Sequence, residues 1–343
     1  MKILLEKPKV DSTPLFRLLN YSLDGLRCYY TLISALKLNI FESLKTPKTL
    51  DRLSKEYGCD KKLLLIFCRV LCKLGLVLRD GEKYVASPLA KIYLTKNSPF
   101  SQKFYVEDTA RNVELWMNLP KILRKGPVSL KAERFFSERA VHIMAQQALC
   151  GELQKTVEMV ASLPEFMEAR RLLDLGGGHG LYSIAFTKIN PKLKAYVFDL
   201  PKVTEKTRRY IRMFKARRVY TISGNFFKDD FGDNYDIIFS SYNPGGKKIG
   251  LIPKIYGSLK RGGLYINKQI FPDKCPDNPL LDLEWNLWVF DGMEKGEKTY
   301  SFKDDVRMDE YLKCLEKSGF KILNIYSLPN SLEEGQMIVC KKI

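Results

Sequence analysis

The sequence predicts an α/β chain: a mostly parallel sheet that ends in an antiparallel hairpin, preceded by an α-rich N-terminal domain. Three observations predict it. From residue 170 onward, short β-branched or apolar runs alternate with helical or loop stretches: RRLLDLG, KAYVFDL, VYTISG, YDIIFSS and GLYINKQIF. That rhythm builds βαβ units and a parallel sheet. The last two runs, GFKILNIYSLP and GQMIVCKK, are joined only by a polar loop and close the sheet as a hairpin. Upstream, three helical patterns and a hairpin signal succeed one another within about sixty residues.

Taken in order, residues 22–43 place apolar side chains at helical spacing, and TPKTLDRLSKEYG is a short capped helix closed by Gly58. The third helix, in CDKKLLLIFCRVLCKLGLV, ends at Gly75. It runs into LVLRDGEKYVAS, where Asp80-Gly81 between two β-prone runs marks a hairpin. Three helices and a hairpin describe a winged helix over 1–97, a fold that binds DNA in regulators and serves dimerisation in certain enzymes. Residues 98–167 read as a helical connector rich in aromatics (Phe104, Tyr105, Trp116, Phe135, Phe136), with one long helix in AVHIMAQQALCGELQKTVEMVASL. The sheet domain occupies 168–343.

With 343 residues, 45% hydrophobic and 28% charged, the chain can bury two cores, which excludes a disordered or fibrous protein. No run approaches the roughly 18 apolar residues that cross a bilayer. The start, MKILLEKPKV, meets Lys7 and Pro8 before a signal-peptide apolar region forms, so the chain reads as cytoplasmic. Eight cysteines without a Cys-x-x-Cys, and only two histidines, predict reduced thiols and no metal site. The net charge of +18 is concentrated in the two ends. Part of it lies in TEKTRRYIRMFKARR (204–218), where Lys206, Arg208, Arg209, Arg212, Lys215, Arg217 and Arg218 face one glutamate. That run is either a solvated helix face or a contact for an acidic macromolecule or polyanionic substrate.

The strongest local signal is Leu172-Leu173-Asp174-Leu175-Gly176-Gly177-Gly178-His179-Gly180, a buried strand entering a glycine-rich turn and a helix from about Leu181. Such glycines let a ligand approach the backbone and the helix N-terminal amides. The third glycine of a dinucleotide loop is missing, and Asp174 would repel a pyrophosphate; it suits a cationic ligand. Twenty-five residues later a second strand ends in Asp199, placed to accept two hydrogen bonds from a ribose diol. A nucleoside with an amine and no required phosphate describes S-adenosylmethionine (SAM).

On these residues the chain resembles the class I SAM-dependent methyltransferases, and within them the O-methyltransferases with an N-terminal winged-helix dimerisation domain. The match runs from about residue 22 over nearly the whole chain. LLDLGGGHG resembles the first SAM motif of the family, VFDLPKV (197–203) the second and SGNFFKDDF (223–231) the third. LKRGGLYINKQ (259–269), MDEYLKCLEKSGF (308–320) and the N-terminal LISALKLNIFESL are similar to further family segments. The resemblance implies a Rossmann-like catalytic domain, a homodimer through the N-terminal domain, and SAM as cofactor. It also implies that Gly176, Gly178 and Gly180 line the methionine and ribose end and that Asp174 acts through the methionine amino group. Asp199 and Leu200 would hold the ribose and adenine edge, with Phe226 against the adenine and Asn225 where the family has aspartate.

The resemblance further implies a small-molecule acceptor bearing an aromatic or polycyclic hydroxyl. Its pocket would be lined by LEWNLWVFDGM (283–293), including Trp285 and Trp288, together with Trp116, Phe135 and Met144; the two tryptophans read equally as core. The family's His-Asp-Trp is missing from YDIIFSSYNPGGKKIG (235–250), and with it the histidine base. Three possibilities follow. Tyr242, His142 or a carboxylate such as Glu284 takes the proton; or the acceptor is already nucleophilic, as a thiol, acidic phenol or activated carbon, including a thiol on an acidic protein; or methyl transfer is lost. Glu310 matches the family's C-terminal motif. A SAM-responsive DNA-binding regulator is the rival of another class. It rests on Lys61, Lys62, Arg69 and Lys73, but apolar residues crowd that helix, it carries no base-reading cluster, and nucleic acid is not the expected partner.

Overall fold

The computed structural model describes residues 4–291, 293–329 and 334–343. The chain divides into two compact units, one ending at Thr109 and one spanning Ala110–Ile343, so the stretch 110–167 belongs with the sheet. The division falls inside the helix Lys103–Met117.

In the first unit, the helix Thr13–Lys37 is followed by the short helix Ile40–Ser43. Asn39, at φ 53°, separates what the periodicity joined into one helix. The next helix, Leu50–Tyr57, is capped by the Thr49 side chain and closed by Gly58 at φ 59°. Asp60 accepts the Leu63 N–H at 2.8 Å and so caps the helix Lys61–Lys73. The strands Val77–Asp80 and Lys83–Ala86 then pair antiparallel around Gly81. Lys48–Thr49 adds a third, short strand beside Lys83–Ala86. Leu36, Phe41, Leu53, Leu64, Cys68, Leu71 and Tyr84 form the core under this hairpin.

The second unit is organised by a seven-stranded sheet. Its spatial order is Phe320–Pro329, Glu334–Lys342, Leu259–Gln269, Tyr235–Ser241, Arg171–Leu175, Lys194–Asp199, Val219–Ser223. All neighbours are parallel except those of Glu334–Lys342, which runs antiparallel to both of its partners. Strand alternation divides the buried side chains between two faces. Leu172, Ile237, Leu264 and Ile266 pack with the helices Leu153–Ala161 and Leu181–Ile189. Leu173, Leu175, Ile238 and Tyr265 pack with Ile252–Ser258 and Met308–Lys317. A sheet covered on both faces needs nearly continuous apolar strands, which is how these segments read.

The long helix expected at 140–163 is broken. A π-type turn over 148–152 separates Val141–Gln147 from Leu153–Ala161, with Gly151 at φ 112°. Only glycine takes that backbone without strain, and the break sets Glu152 at the start of the second piece.

Candidate active site

At the carboxyl edge of the sheet Leu175 lies beside Ser240 and Ser240 beside Asn267, so the loops leaving these strands start from one row. Ligands of parallel sheets bind along that edge. The glycine turn leaves it with Gly176, Gly178 and Gly180 all at positive φ, 67°, 52° and 69°.

Asp174 is buried beneath the turn. Its Oδ2 accepts the Ser183 hydroxyl at 2.8 Å, and its Oδ1 has no hydrogen-bond partner among the described residues. Burial pushes its carboxyl up to about 7, against the pull of the Ser183 bond. A Cβ on Gly177 would lie 2.4 Å from the Asp174 carboxyl carbon, so the turn and the aspartate fit only with glycine there. Asp199 accepts the Gly178 N–H at 2.9 Å on one oxygen and the Leu200 N–H at 2.7 Å on the other. Each oxygen keeps a lone pair for a diol, and desolvation raises the carboxyl to about 6 despite the two N–H bonds. A Cβ on Gly178 would meet open space. The orphaned oxygen, the diol acceptor and the open cradle fit an adenosyl ligand carrying an amine.

Asn225 and Phe226 follow the strand Val219–Ser223. The Asn225 side-chain oxygen accepts the Phe227 N–H at 2.9 Å and the Asn225 backbone N–H donates to Asp229 at 2.8 Å, so the residue shapes the loop. Phe226 packs against Phe227 at 4.6 Å between ring centres. Its ring also closes on Gly245, where a Cβ would come within 2.7 Å. Gly245 belongs to the loop in which the histidine is missing, and Asn243 organises that loop. Its Nδ2 donates to the Leu175 carbonyl at 2.7 Å, while its Oδ1 accepts the N–H groups of Gly245 and Gly246 at 3.0 and 3.1 Å. This bond to Leu175 pins the loop to the root of the glycine turn. Tyr242, just before it, holds φ 48°, and its hydroxyl packs on Gly335.

The residues expected at an acceptor pocket make separate sets of contacts. Glu284 accepts the Trp116 indole N–H at 2.7 Å and the Asn112 amide at 2.9 Å, one on each oxygen. The carboxylate is thereby engaged in holding Trp116. Phe135 stacks on Trp288 at 5.2 Å, and Trp285 meets Trp288 edge-on at 5.2 Å. Lys295 lies over both indoles, 3.8 Å from the Trp285 ring centre and 2.9 Å from that of Trp288, and burial pushes its ammonium down to about 6. Met144 is more than a third exposed. His142 stands apart from this wall, with Nδ1 3.0 Å from the Tyr210 hydroxyl; burial, then Lys206 and Arg209, hold its pKa below the usual value.

Four further residues escaped the sequence reading. Lys268, fully buried, bonds Glu152, Thr156 and Tyr182. The signal was present: Asn267-Lys268-Gln269 is a polar triplet that ends the buried part of its strand, directly after Leu264, Tyr265 and Ile266. Glu152 gave no signal, because the break at Gly151 was not expected.

A family model for an O-methyltransferase domain matches residues 135–300, and one for an O-methyltransferase dimerisation domain matches residues 21–96. An uncharacterized protein of Methanocaldococcus jannaschii is 38% identical over 338 residues, covering 96% of this chain and 91% of its own. Acetylserotonin O-methyltransferase of Bos taurus is 26% identical, covering 89% and 92%. The crystal structure of human N-acetylserotonin methyltransferase in complex with SAM superimposes with a TM-score of 0.70 at 19% identity, covering 98% and 99%.

Proposed function

This chain belongs to the O-methyltransferase family, in which a dimerisation domain precedes a methyltransferase domain, and we propose that it methylates a hydroxyl on a flat aromatic or polycyclic small molecule. It is an enzyme that uses SAM. When bound, the cofactor supplies an electrophilic methyl group, and the protein's part is alignment and exclusion of water. Asp199 would accept the ribose hydroxyls, Asp174 would face the amino group from beneath the turn, and Phe226 would cover the adenine.

The observation that carries the acceptor class is the wall of Phe135, Trp285 and Trp288 in the same unit as the donor turn. Large rings of this kind favour a flat apolar acceptor. The bovine relative is named for O-methylation of acetylserotonin. Calorimetric titration with SAM and S-adenosylhomocysteine tests the donor side. Two hydrogen bonds to a charged group predict that Asp199→Ala weakens both ligands by about 100-fold; absence of binding to the unaltered protein sinks the reading.

The histidine-free loop around Asn243 and Gly245 favours a second reading, transfer to a thiol, acidic phenol or activated carbon that needs no base. Turnover of a weakly acidic phenol counts against it. The dimerisation domain supports a homodimer. The helix Thr13–Lys37 leaves Leu15, Phe16, Leu19, Leu23 and Leu26 exposed, an apolar stripe that a second copy would cover.

A further inference from the structure

Resting on the hydroxyl-acceptor reading above, we propose that Glu152 receives the acceptor's proton and that Lys268, acting through Glu152 and Tyr182, is its positioning residue. Lys268 pairs with Ser241, one step beyond the row of Leu175, Ser240 and Asn267, so it stands at the carboxyl edge from which the donor turn leaves. Tyr182 is the second residue of the helix that opens from that turn, and its ring lies 6.1 Å from His179 within the turn. The cluster therefore adjoins the donor side.

A lysine with no exposed surface is costly unless its charge is paired and its protons are used. Here the ammonium donates to the Glu152 carboxylate, to Thr156 Oγ1 at 3.0 Å and to the Tyr182 hydroxyl at 3.0 Å. All three protons are committed, so Lys268 has none for an acceptor. Tyr182 in turn donates to Glu152 Oε1 at 3.2 Å. Both bonds to Glu152 fall on Oε1, and its side chain keeps 37% of its surface exposed. The π-type turn and Gly151 give Glu152 this position, and such turns recur at functional sites.

The step balances. As an acceptor oxygen lone pair bonds the methyl carbon, the carbon–sulfur bond breaks with its electron pair remaining on sulfur, and the hydroxyl proton passes to Glu152 Oε2 and then to water. The titratable groups around this carboxylate are Lys268, Tyr182, Tyr242, whose ring lies 4.6 Å from the ammonium, and His179. Burial, with Lys268 adding to it, holds His179 down to about 4, so the Glu152 proton has no competing imidazolium nearby.

The test uses the full chain with SAM and two probe acceptors, weakly acidic 2-naphthol and acidic 4-nitrophenol, following transfer of a labelled methyl group. A general base contributes about 100-fold or more. Glu152→Gln should cost about that factor on 2-naphthol and under about threefold on 4-nitrophenol, which is ionised without help. It should leave SAM affinity by calorimetry unchanged. Because the single variant strands a buried ammonium, Glu152→Gln with Lys268→Met removes both charges and should show the same selective loss. Equal loss on both probes, or no loss on 2-naphthol, overturns the proposal. If the unaltered protein methylates neither probe while binding SAM, the hydroxyl-acceptor reading fails, and the assignment of Glu152 falls with it.

Discussion

From Leu172 to Gly180, nine consecutive residues supply the strand end, the buried carboxylate and the turn of the donor side. On the acceptor side, Glu284 reaches Trp116 across 168 positions and Asn112 across 172. The donor side is thus a local device, whose parts are held by the backbone that joins them, while the acceptor side exists only after distant helices have packed. A local device tolerates little change in its own residues and much elsewhere. A site assembled from afar should behave in the opposite way, with small effects spread over many positions.

Three measurements sharpen that contrast. The first is a substitution at Gly177. An added Cβ would sit 2.4 Å from the Asp174 carboxyl carbon, and the buried aspartate has no room to yield. Overpacking of this kind costs about 1–3 kcal/mol, so Gly177→Ala should weaken SAM by about 30-fold or more and lower the melting temperature; wild-type affinity would show that the turn is looser than its geometry.

The second is pH. Both aspartates have folded pKa values raised above the unfolded carboxylate, Asp174 to about 7 and Asp199 to about 6. Their contribution to the stability of the ligand-free fold is therefore fully present below the unfolded value and lost as pH rises through 6 and 7. Ligand binding runs the other way, because a cationic amine and a diol need the carboxylates ionised. SAM affinity should fall as pH drops from 7.5 to 5.5, approaching about tenfold per unit for each titrating group. In Asp199→Asn the part of this dependence centred near 6 should vanish. A flat profile in the unaltered protein breaks the assignment of both aspartates to the donor.

The smallest effect is expected on the acceptor side. Trp116→Phe removes one hydrogen bond to Glu284 and leaves Asn112 in place. At about 1 kcal/mol, near fivefold, the change should appear in the KM of a phenolic acceptor with SAM affinity untouched. A loss in SAM binding would mean that the two sides are coupled rather than separate.

The same contrast decides what was legible. Each sheet strand was readable as an apolar run between turns, and Gly58 and Gly81 marked a helix end and a hairpin turn. The break at Gly151 was not readable, because one glycine within a strong helical period stays ambiguous until neighbouring elements bend the chain there. Trp285 and Trp288 were visible as aromatics, but their partners Phe135 and Lys295 were not, since spacing carries no information about contacts between elements.

By itself the sequence determined the order of strands and helices, the donor turn with its two aspartates, and the absence of a histidine after the strand Tyr235–Ser241, because each is written in residues adjacent along the chain. The tertiary structure alone decided that Glu284 holds Trp116, that Asn243 ties its loop to Leu175, and that a buried Lys268 meets Glu152 across 116 positions. Those contacts depend on which strands become neighbours and which faces they cover, and packing settles that only when the whole sheet has closed.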